Sequence, residues 1–199
     1  MPKFSIIIPT HNSAEFMRKC LDSVVGQTCK DYELIIICDK CEDNTETIAK
    51  EYTDKVIVTD YGNDGMARNA GLDIATGEWV LFLDDDDWWL HEYVLEQLDE
   101  KTKTINADLL AFSFIFKHWM YAKPHHPSGG LWVAVWCKCW KRSFIGSTRF
   151  PYVYPSDLAF HRLIMAKNPR VVEWDMPMYY YNFMRKGSQT ELEGRKDNG

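Results

Sequence analysis

Apolar residues come first as short β-branched runs and then as longer stretches at helical spacing. Lys3–Pro9 (KFSIIIP) predicts a buried strand that stops at Pro9. Phe16, Met17, Cys20, Leu21, Val24 and Val25 then recur every three or four positions. That spacing predicts a helix opened by Asn12 or Ser13 and closed at Gly26. Glu33–Cys38 (ELIIIC) predicts a second buried strand running into Asp39. Asn44 opens a helix to about Tyr52, and Lys55–Thr59 reads as a third strand. Met66–Ala75 reads as a short helix closed by Gly77, and Trp79–Leu83 as a fourth strand ending in Asp84–Asp87. Four alternations of strand and helix predict βαβ units: an α/β fold, Rossmann-like, with a mostly parallel sheet and helices on both faces.

The second half is less regular. A helix is expected over Glu92–Lys103, strands over Leu109–Phe116 and Trp132–Cys137, and a loop over Pro124–Gly130. Pro155 or Ser156 opens a helix to about Asn168, and Val171–Tyr181 reads as extended. The division is 1–105 and 106–190 as two halves of one domain, with a disordered polar tail over 191–199.

Charge sharpens that division. Residues 1–100 carry 8 Lys and Arg against 22 Asp and Glu, whereas residues 101–199 carry 15 against 7. An acidic front and a basic back imply two different tasks. No apolar run is long enough to be a transmembrane segment, and the first residues lack the pattern of a signal peptide, so the expectation is a cytoplasmic protein. The six cysteines are expected as reduced thiols; a zinc site from Cys38, Cys41, Cys137 and Cys139 is the alternative.

The segment WVLFLDDDDWW (79–89) carries the strongest chemical signal. Adjacent carboxylates repel one another, and a cluster stays ionised when a cation sits among them. In extended chain Asp84 and Asp86 point the same way, about 6–7 Å apart. Mg²⁺ typically takes one or two carboxylates plus phosphate oxygens. Ligands on parallel sheets bind at strand carboxyl ends, where Thr10–Asn12, Asp39 and Asp84–Asp87 all fall. The combination predicts a metal–diphosphate site.

FSIIIPTHN, ELIIICDKCEDNT and GMARNAGLDIATGEWVLFLDDDD, in that order, resemble the family 2 glycosyltransferases of GT-A fold. The resemblance spans residues 3–190. It implies that 1–105 bind a nucleotide-sugar, most simply a UDP-sugar, and that 106–190 bind the acceptor and carry the base. Pro9, Thr10 and Asn12 would line the donor pocket, and Asp39 would accept a hydrogen bond from the uracil ring. The segment after Asp39 departs from the family's Asp-Asp-Gly-Ser, because Lys40, Cys41 and Glu42 intervene. Arg68 and Asn69 match an Ala-Arg-Asn segment near the nucleotide, although Arg68 can instead simply pair with the acidic rim. Asp84 and Asp86 match the family's Asp-x-Asp: Asp84 would contact the ribose or the metal and Asp86 would coordinate Mg²⁺ or Mn²⁺, with Asp85 near the donor and Asp87 secondary.

In YPSDLAFHRL (154–163), Asp157 matches the general base, with Ser156 where the family has Glu. Cys137 replaces the Asn of a Trp-Asn-Lys segment, and Arg185, Ser188 and Thr190 match a closing segment over the diphosphate. The resemblance implies inverting transfer to an acceptor hydroxyl on a glycan or a lipid-linked glycan. Lys117, Lys123, Lys138, Lys141, Arg142 and Arg149, set among Trp119, Trp132, Trp136 and Trp140, with His118, His125 and His126, also suit a polyanion. Transfer to hydroxylated bases of DNA is therefore an alternative acceptor reading; packing of the Trp residues in the acceptor half is the plainer one. A nucleotide-sugar-binding protein without catalysis is the alternative class. A nucleotidyltransferase is disfavoured because PTHNSAEF is not a Gly-rich, basic phosphate loop.

Overall fold

The computed structural model describes residues 1–117 and 119–183. The elements run β1 (Phe4–Thr10), α1 (Met17–Val25), β2 (Tyr32–Asp39), α2 (Thr45–Lys50), β3 (Val56–Thr59), α3 (Asp64–Ile74) and β4 (Trp79–Phe82). They continue with β5 (Trp88–Trp89), α4 (Val94–Thr104), β6 (Leu109–Phe116), β7 (Met120–Ala122), β8 (Lys138–Lys141), α5 (Arg142–Ile145), α6 (Ser156–Met165) and β9 (Val171–Tyr181). All nine strands share one sheet, ordered β3-β2-β1-β4-β8-β6-β9-β5, with β7 on β6.

The four front strands pair in parallel. The chain leaves β1 for β2 and β3 on one side, then returns to β4 on the other. That reversal is the topological switch point at which such sheets open a crevice. Beyond β4 the sheet is mixed: β8 is antiparallel to both neighbours and β6 is parallel to β9.

Alternation along the buried strands divides the core in two. Ile6, Ile8, Leu34 and Ile36 face α1, α2 and α4 through Met17, Leu21, Val24, Ile48, Leu95 and Leu98. Ile7, Ile35, Ile37, Val80 and Phe82 face the other way, against Ala67 and Leu72 of α3 and Phe160 and Ile164 of α6. A Cβ at Gly71 would stand 2.5 Å from the Ile7 side chain, so glycine there lets α3 lie directly on the sheet.

Three local expectations are corrected. Trp132–Cys137 forms no strand; the strand is Lys138–Lys141. In the earlier segment the carbonyls of Trp132 and Ala134 accept from Lys138 Nζ, and the Val135 N–H donates to Asp157. Side chains thus satisfy backbone groups that a ladder would otherwise claim. Asn12 and Ser13 do not cap α1 with their side chains: α1 begins only at Met17, the Ser13 hydroxyl donates to Asp85 and Asn12 Oδ1 accepts the Glu42 N–H. Finally, Asp84–Asp87 form a turn rather than extended chain, closed by Asp87 N–H on Asp84 O at 3.1 Å.

At the opposite end of the sheet Glu33 is buried and collects five donations. They come from the Ser5 hydroxyl, the Thr76 N–H and hydroxyl, the Gly77 N–H and Lys55 Nζ. Burial alone would raise its pKa, but Lys55, Ser5 and Thr76 hold it down at about 2, against an ordinary 4.5. A depressed carboxylate stabilises the fold fully above its unfolded value, and that stability is lost as pH falls through the folded value. Glu33→Gln is therefore expected to cost about 2 kcal/mol at neutral pH. It should also flatten the fall in stability between pH 4.5 and about 2 in urea titrations.

Candidate active site

The crevice at the switch point is built around Arg68, in the second turn of α3. It is 4% exposed and lies above Phe150, which stacks on Phe160 at 4.0 Å. Nη1 donates to Asp64 Oδ2 at 2.5 Å, and Nη2 donates to Asp84 Oδ1 at 2.8 Å. Asp157 Oδ1 lies 3.3 Å from Nη1. One guanidinium thus joins the N-terminus of α3, the end of β4 and the first turn of α6. Burial would pull its pKa down, but Asp157, Asp84 and Asp64 outweigh that and keep it charged.

The carboxylates respond differently. Burial pushes Asp84 up to about 7; Arg68 opposes this, while Asp157 and Asp86 add to it. Burial also acts upward on Asp64, but Arg68 and the Ser156 hydroxyl overcome it and hold Asp64 below its ordinary value.

Burial alternates along the Asp turn. Asp84 and Asp86 are half-buried, whereas Asp85 and Asp87 are buried. Asp85 accepts from Ser13. Asp87 accepts from Tyr179 Oη at 2.6 Å and from the Asn182 N–H at 2.7 Å. Burial, then the Asp86 and Asp84 charges, raise Asp87 well above the carboxylate range, against those two hydrogen bonds. Tyr179 Oη also accepts the Asp84 N–H at 3.2 Å, so β9 grips the turn at both ends. Trp89 packs in the core, and Trp88 stacks on Tyr180 at 4.2 Å beneath Lys19.

Thr10 and Asp39 end the adjacent strands, and Pro9 is buried in β1. Thr10 Oγ1 is buried without a hydrogen-bond partner. Asp39 Oδ1 accepts from Thr59 Oγ1 at 2.9 Å and the Tyr61 N–H at 2.6 Å, and Oδ2 accepts from the Asn63 N–H at 3.1 Å. Asn12 has a left-handed backbone (φ 48°) and its Oδ1 accepts the Glu42 N–H at 2.7 Å.

Asn69 faces the other half. Its amide exchanges two hydrogen bonds with the Phe150 backbone, at 2.9 and 2.8 Å, and so ties the segment before α6 to α3. Asp157 Oδ2 accepts the Val135 N–H at 3.0 Å. The Ser156 hydroxyl donates to Asp64 at 2.9 Å. Gly65 makes that contact possible, because a Cβ there would stand 2.8 Å from Ser156 Cβ.

Arg68, Asp84 and Asp157 converge; Asn69 and Asp85 hold loops. Arg185, Ser188 and Thr190 lie outside the described residues, as do His118 and the 191–199 tail. Sequence reasoning missed Asp64, Tyr179, Ser13 and the buried Lys138 clamp. Only Asp64 had a signal, four residues before Arg68 on one helix.

The basic and aromatic residues divide between core and surface: Lys117, Lys123 and His125 are exposed, and His126, Trp132, Lys141, Arg142 and Arg149 are half-buried. Trp136 and Trp140 are buried, as is Lys138. Arg142 Nε donates to the Gly77 carbonyl, Arg149 pairs with Asp73 and Lys123 with Asp175. Trp119 is exposed. Among the described residues no three His, Cys, Asp or Glu side chains gather as a metal site, so the four cysteines of the zinc alternative do not assemble one. No helix among them is long and apolar enough to cross a membrane.

Residues 5–160 match the family described as Glycosyl transferase family 2. The chain is 43% identical over 118 residues to the poly(ribitol-phosphate) β-N-acetylglucosaminyltransferase TarP of Staphylococcus aureus, covering 55% of this chain and 36% of that protein. It is 36% identical over 112 residues to the glycosyltransferase GlyA of Streptococcus pneumoniae, covering 54% of this chain and 16% of that one. The chain thus spans about a third or less of these two relatives. Residues 1–349 of S. aureus TarS, in complex with UDP-GlcNAc, superpose with a TM-score of 0.79 at 23% identity, over 95% of this chain and 60% of that one. A Pyrobaculum calidifontis mannosyltransferase in complex with GDP-Man and Mn²⁺ gives 0.76 at 16%, over 98% of this chain and 61% of that one. The shared fold is GT-A.

Removing Arg68 leaves three carboxylates facing one another without a counter-charge. Arg68→Met is expected to cost about 3 kcal/mol or more near neutral pH. Like-charge repulsion raises the folded-state pKa values, so stability should recover as pH is lowered toward about 5, the reverse of the Glu33 dependence. Urea unfolding at the two pH values measures both effects.

Proposed function

The chain belongs to glycosyl transferase family 2, and on that premise we propose that it transfers a sugar from a nucleotide-sugar, most simply a UDP-sugar, to an acceptor hydroxyl. The observation that carries this reading is the pair of carboxylates on one buried guanidinium. Asp84 comes from the strand-end rim and Asp157 from the opposite half. A donor held on the rim and an acceptor held beside α6 would meet there.

Asp157 is the proposed general base. Its Oδ2 is fixed by the Val135 N–H, while Oδ1 has no hydrogen-bond partner. A carboxylate so placed accepts the proton of an attacking hydroxyl as the new bond forms. The acceptor oxygen attacks the anomeric carbon on the face opposite the nucleotide, which inverts the configuration.

On the donor side Asp39 has three of its roughly four lone-pair sites filled by protein donors, which leaves room for a ring N–H of the base. Thr10 Oγ1 and Pro9 lie at the neighbouring strand end, with Asn12 beyond them.

Asp86 and Asp84 fit a divalent cation, Mg²⁺ or Mn²⁺. Both are half-buried, and burial, then the Asp157 and Asp86 charges, raise Asp84, a penalty that a bound cation offsets. Two carboxylates alone are an incomplete set, which suits an ion that also binds substrate phosphate. When bound, such an ion offsets charge on the departing diphosphate. The acceptor is proposed to be a glycan or polyol-phosphate chain, by analogy with the activity named for TarP.

Isothermal titration with UDP and UDP-sugars, with and without Mn²⁺, tests the donor half. Asp86→Ala should abolish the Mn²⁺-dependent gain in affinity. Asp157→Asn should bind UDP as the parent does yet lower transfer or donor hydrolysis by roughly 10²-fold or more. Full turnover in Asp157→Asn removes the base assignment, and absence of nucleotide binding removes the whole reading.

A further inference from the structure

Lys138, the first residue of β8, is fully buried, and among the described residues it forms no ion pair. An amine in that setting is costly unless its donors are used. Nζ donates to the carbonyls of Trp132 and Ala134, in the segment that precedes the strand. Two positions further along β8, on the same face, Trp140 Nε1 donates to the Val135 carbonyl at 3.0 Å. β8 itself is paired on both sides, with β4 and with β6. An inner strand thus holds three carbonyls of a segment that has no ladder of its own.

The peptide group between Ala134 and Val135 links this clamp to the crevice. A trans peptide is planar, and its C=O and N–H point in opposite directions. Lys138 donates to the oxygen of that group, and its N–H donates to Asp157 Oδ2 at 3.0 Å. We infer that Lys138 is a positioning residue for Asp157, acting through this one peptide group, with Trp140 securing Val135 from the next peptide along. The consequence for turnover rests on the reading of Asp157 as the base. With the peptide held at both ends Oδ2 is pinned, and Oδ1 stays without a hydrogen bond, 3.3 Å from Arg68 Nη1. A donor on the carbonyl also polarises the peptide and strengthens its N–H toward the carboxylate.

Lys138 has no exposed surface, so it does not itself touch a ligand. Space-filling is not its role either. An apolar side chain of similar volume would leave the carbonyls of Trp132 and Ala134 without that donor, and the segment would turn to find others. Turning the 134–135 peptide takes its N–H from Asp157 and leaves the Arg68 charge alone to orient the carboxylate.

Parent, Lys138→Met, Asp157→Asn and the double variant, all as full chains, are compared in UDP binding, in hydrolysis of UDP-GlcNAc with Mn²⁺, and in backbone amide exchange. Lys138→Met is expected to lower kcat by about tenfold or more, with KM and UDP affinity as in the parent. The Val135 amide should exchange about tenfold faster or more, with the amides of β6 unchanged. In the double variant kcat should equal that of Asp157→Asn, because the lysine acts only through the carboxylate. A fall by the same factor in both backgrounds marks a merely structural residue and overturns the inference, as does an unchanged Val135 amide. Where Lys138→Met does not fold, Trp140→Phe carries the test, since it keeps an aromatic ring and loses the donor to Val135. It should speed exchange at Val135 and lower kcat severalfold in the parent but not in Asp157→Asn. A fall in both, or in neither, overturns the inference. Full turnover in Asp157→Asn removes the base reading instead, and exchange at Val135 then decides the clamp alone.

Discussion

Arg68 is buried with three carboxylates, and the site depends on that ionic contact. A guanidinium has five donors in a fixed plane and stays charged under any physiological condition. Here it meets Asp64 from its own helix, Asp84 from β4 and Asp157 from α6. The two halves of the sheet meet along β4 and β8 through backbone hydrogen bonds. Those bonds leave the far ends of α3 and α6 free to diverge. Arg68 prevents that, with help from the Asn69–Phe150 bonds and the Gly65–Ser156 contact. The aromatic stack beneath it lowers the local dielectric, which strengthens the ion pairs and raises the cost of leaving any charge alone.

The turn at Asp84–Asp87 resolves its own repulsion by dividing labour. Alternate residues face opposite sides: Asp85 secures Ser13 and Asp87 secures Tyr179 and Asn182. Asp84 pairs with Arg68, and Asp84 and Asp86 stay half-buried. Tyr179 couples this division to β9, because one hydroxyl both donates to Asp87 and accepts from Asp84. The C-terminal strand thereby shapes a turn nearly a hundred residues earlier in the chain.

Much of this was legible in the chain. The β-branched runs and helical spacings of the first half identified four strands and two helices to within a residue or two, because each is fixed by its own apolar pattern; α1 ends as expected but starts later, at Met17. The carboxyl-end rim followed from topology, and Asp157 at a helix start followed from the resemblance. The second half read less well because its elements are set by distant partners. Trp132–Cys137 has a strand-like pattern, yet Lys138 and Asp157 claim its backbone groups. The short strands β5 and β7 carry too few residues to show a period.

Sequence alone determined the α/β alternation, the acidic rim and the residue types able to hold a cation and a diphosphate, because those depend on local periodicity and strand order. Tertiary structure alone decided which carboxylates of the turn are buried and which stay half-buried. It also decided that Asp64 joins the Arg68 cluster. Such outcomes depend on which groups are brought within a few ångströms of one another after burial, and no period along the chain encodes that distance.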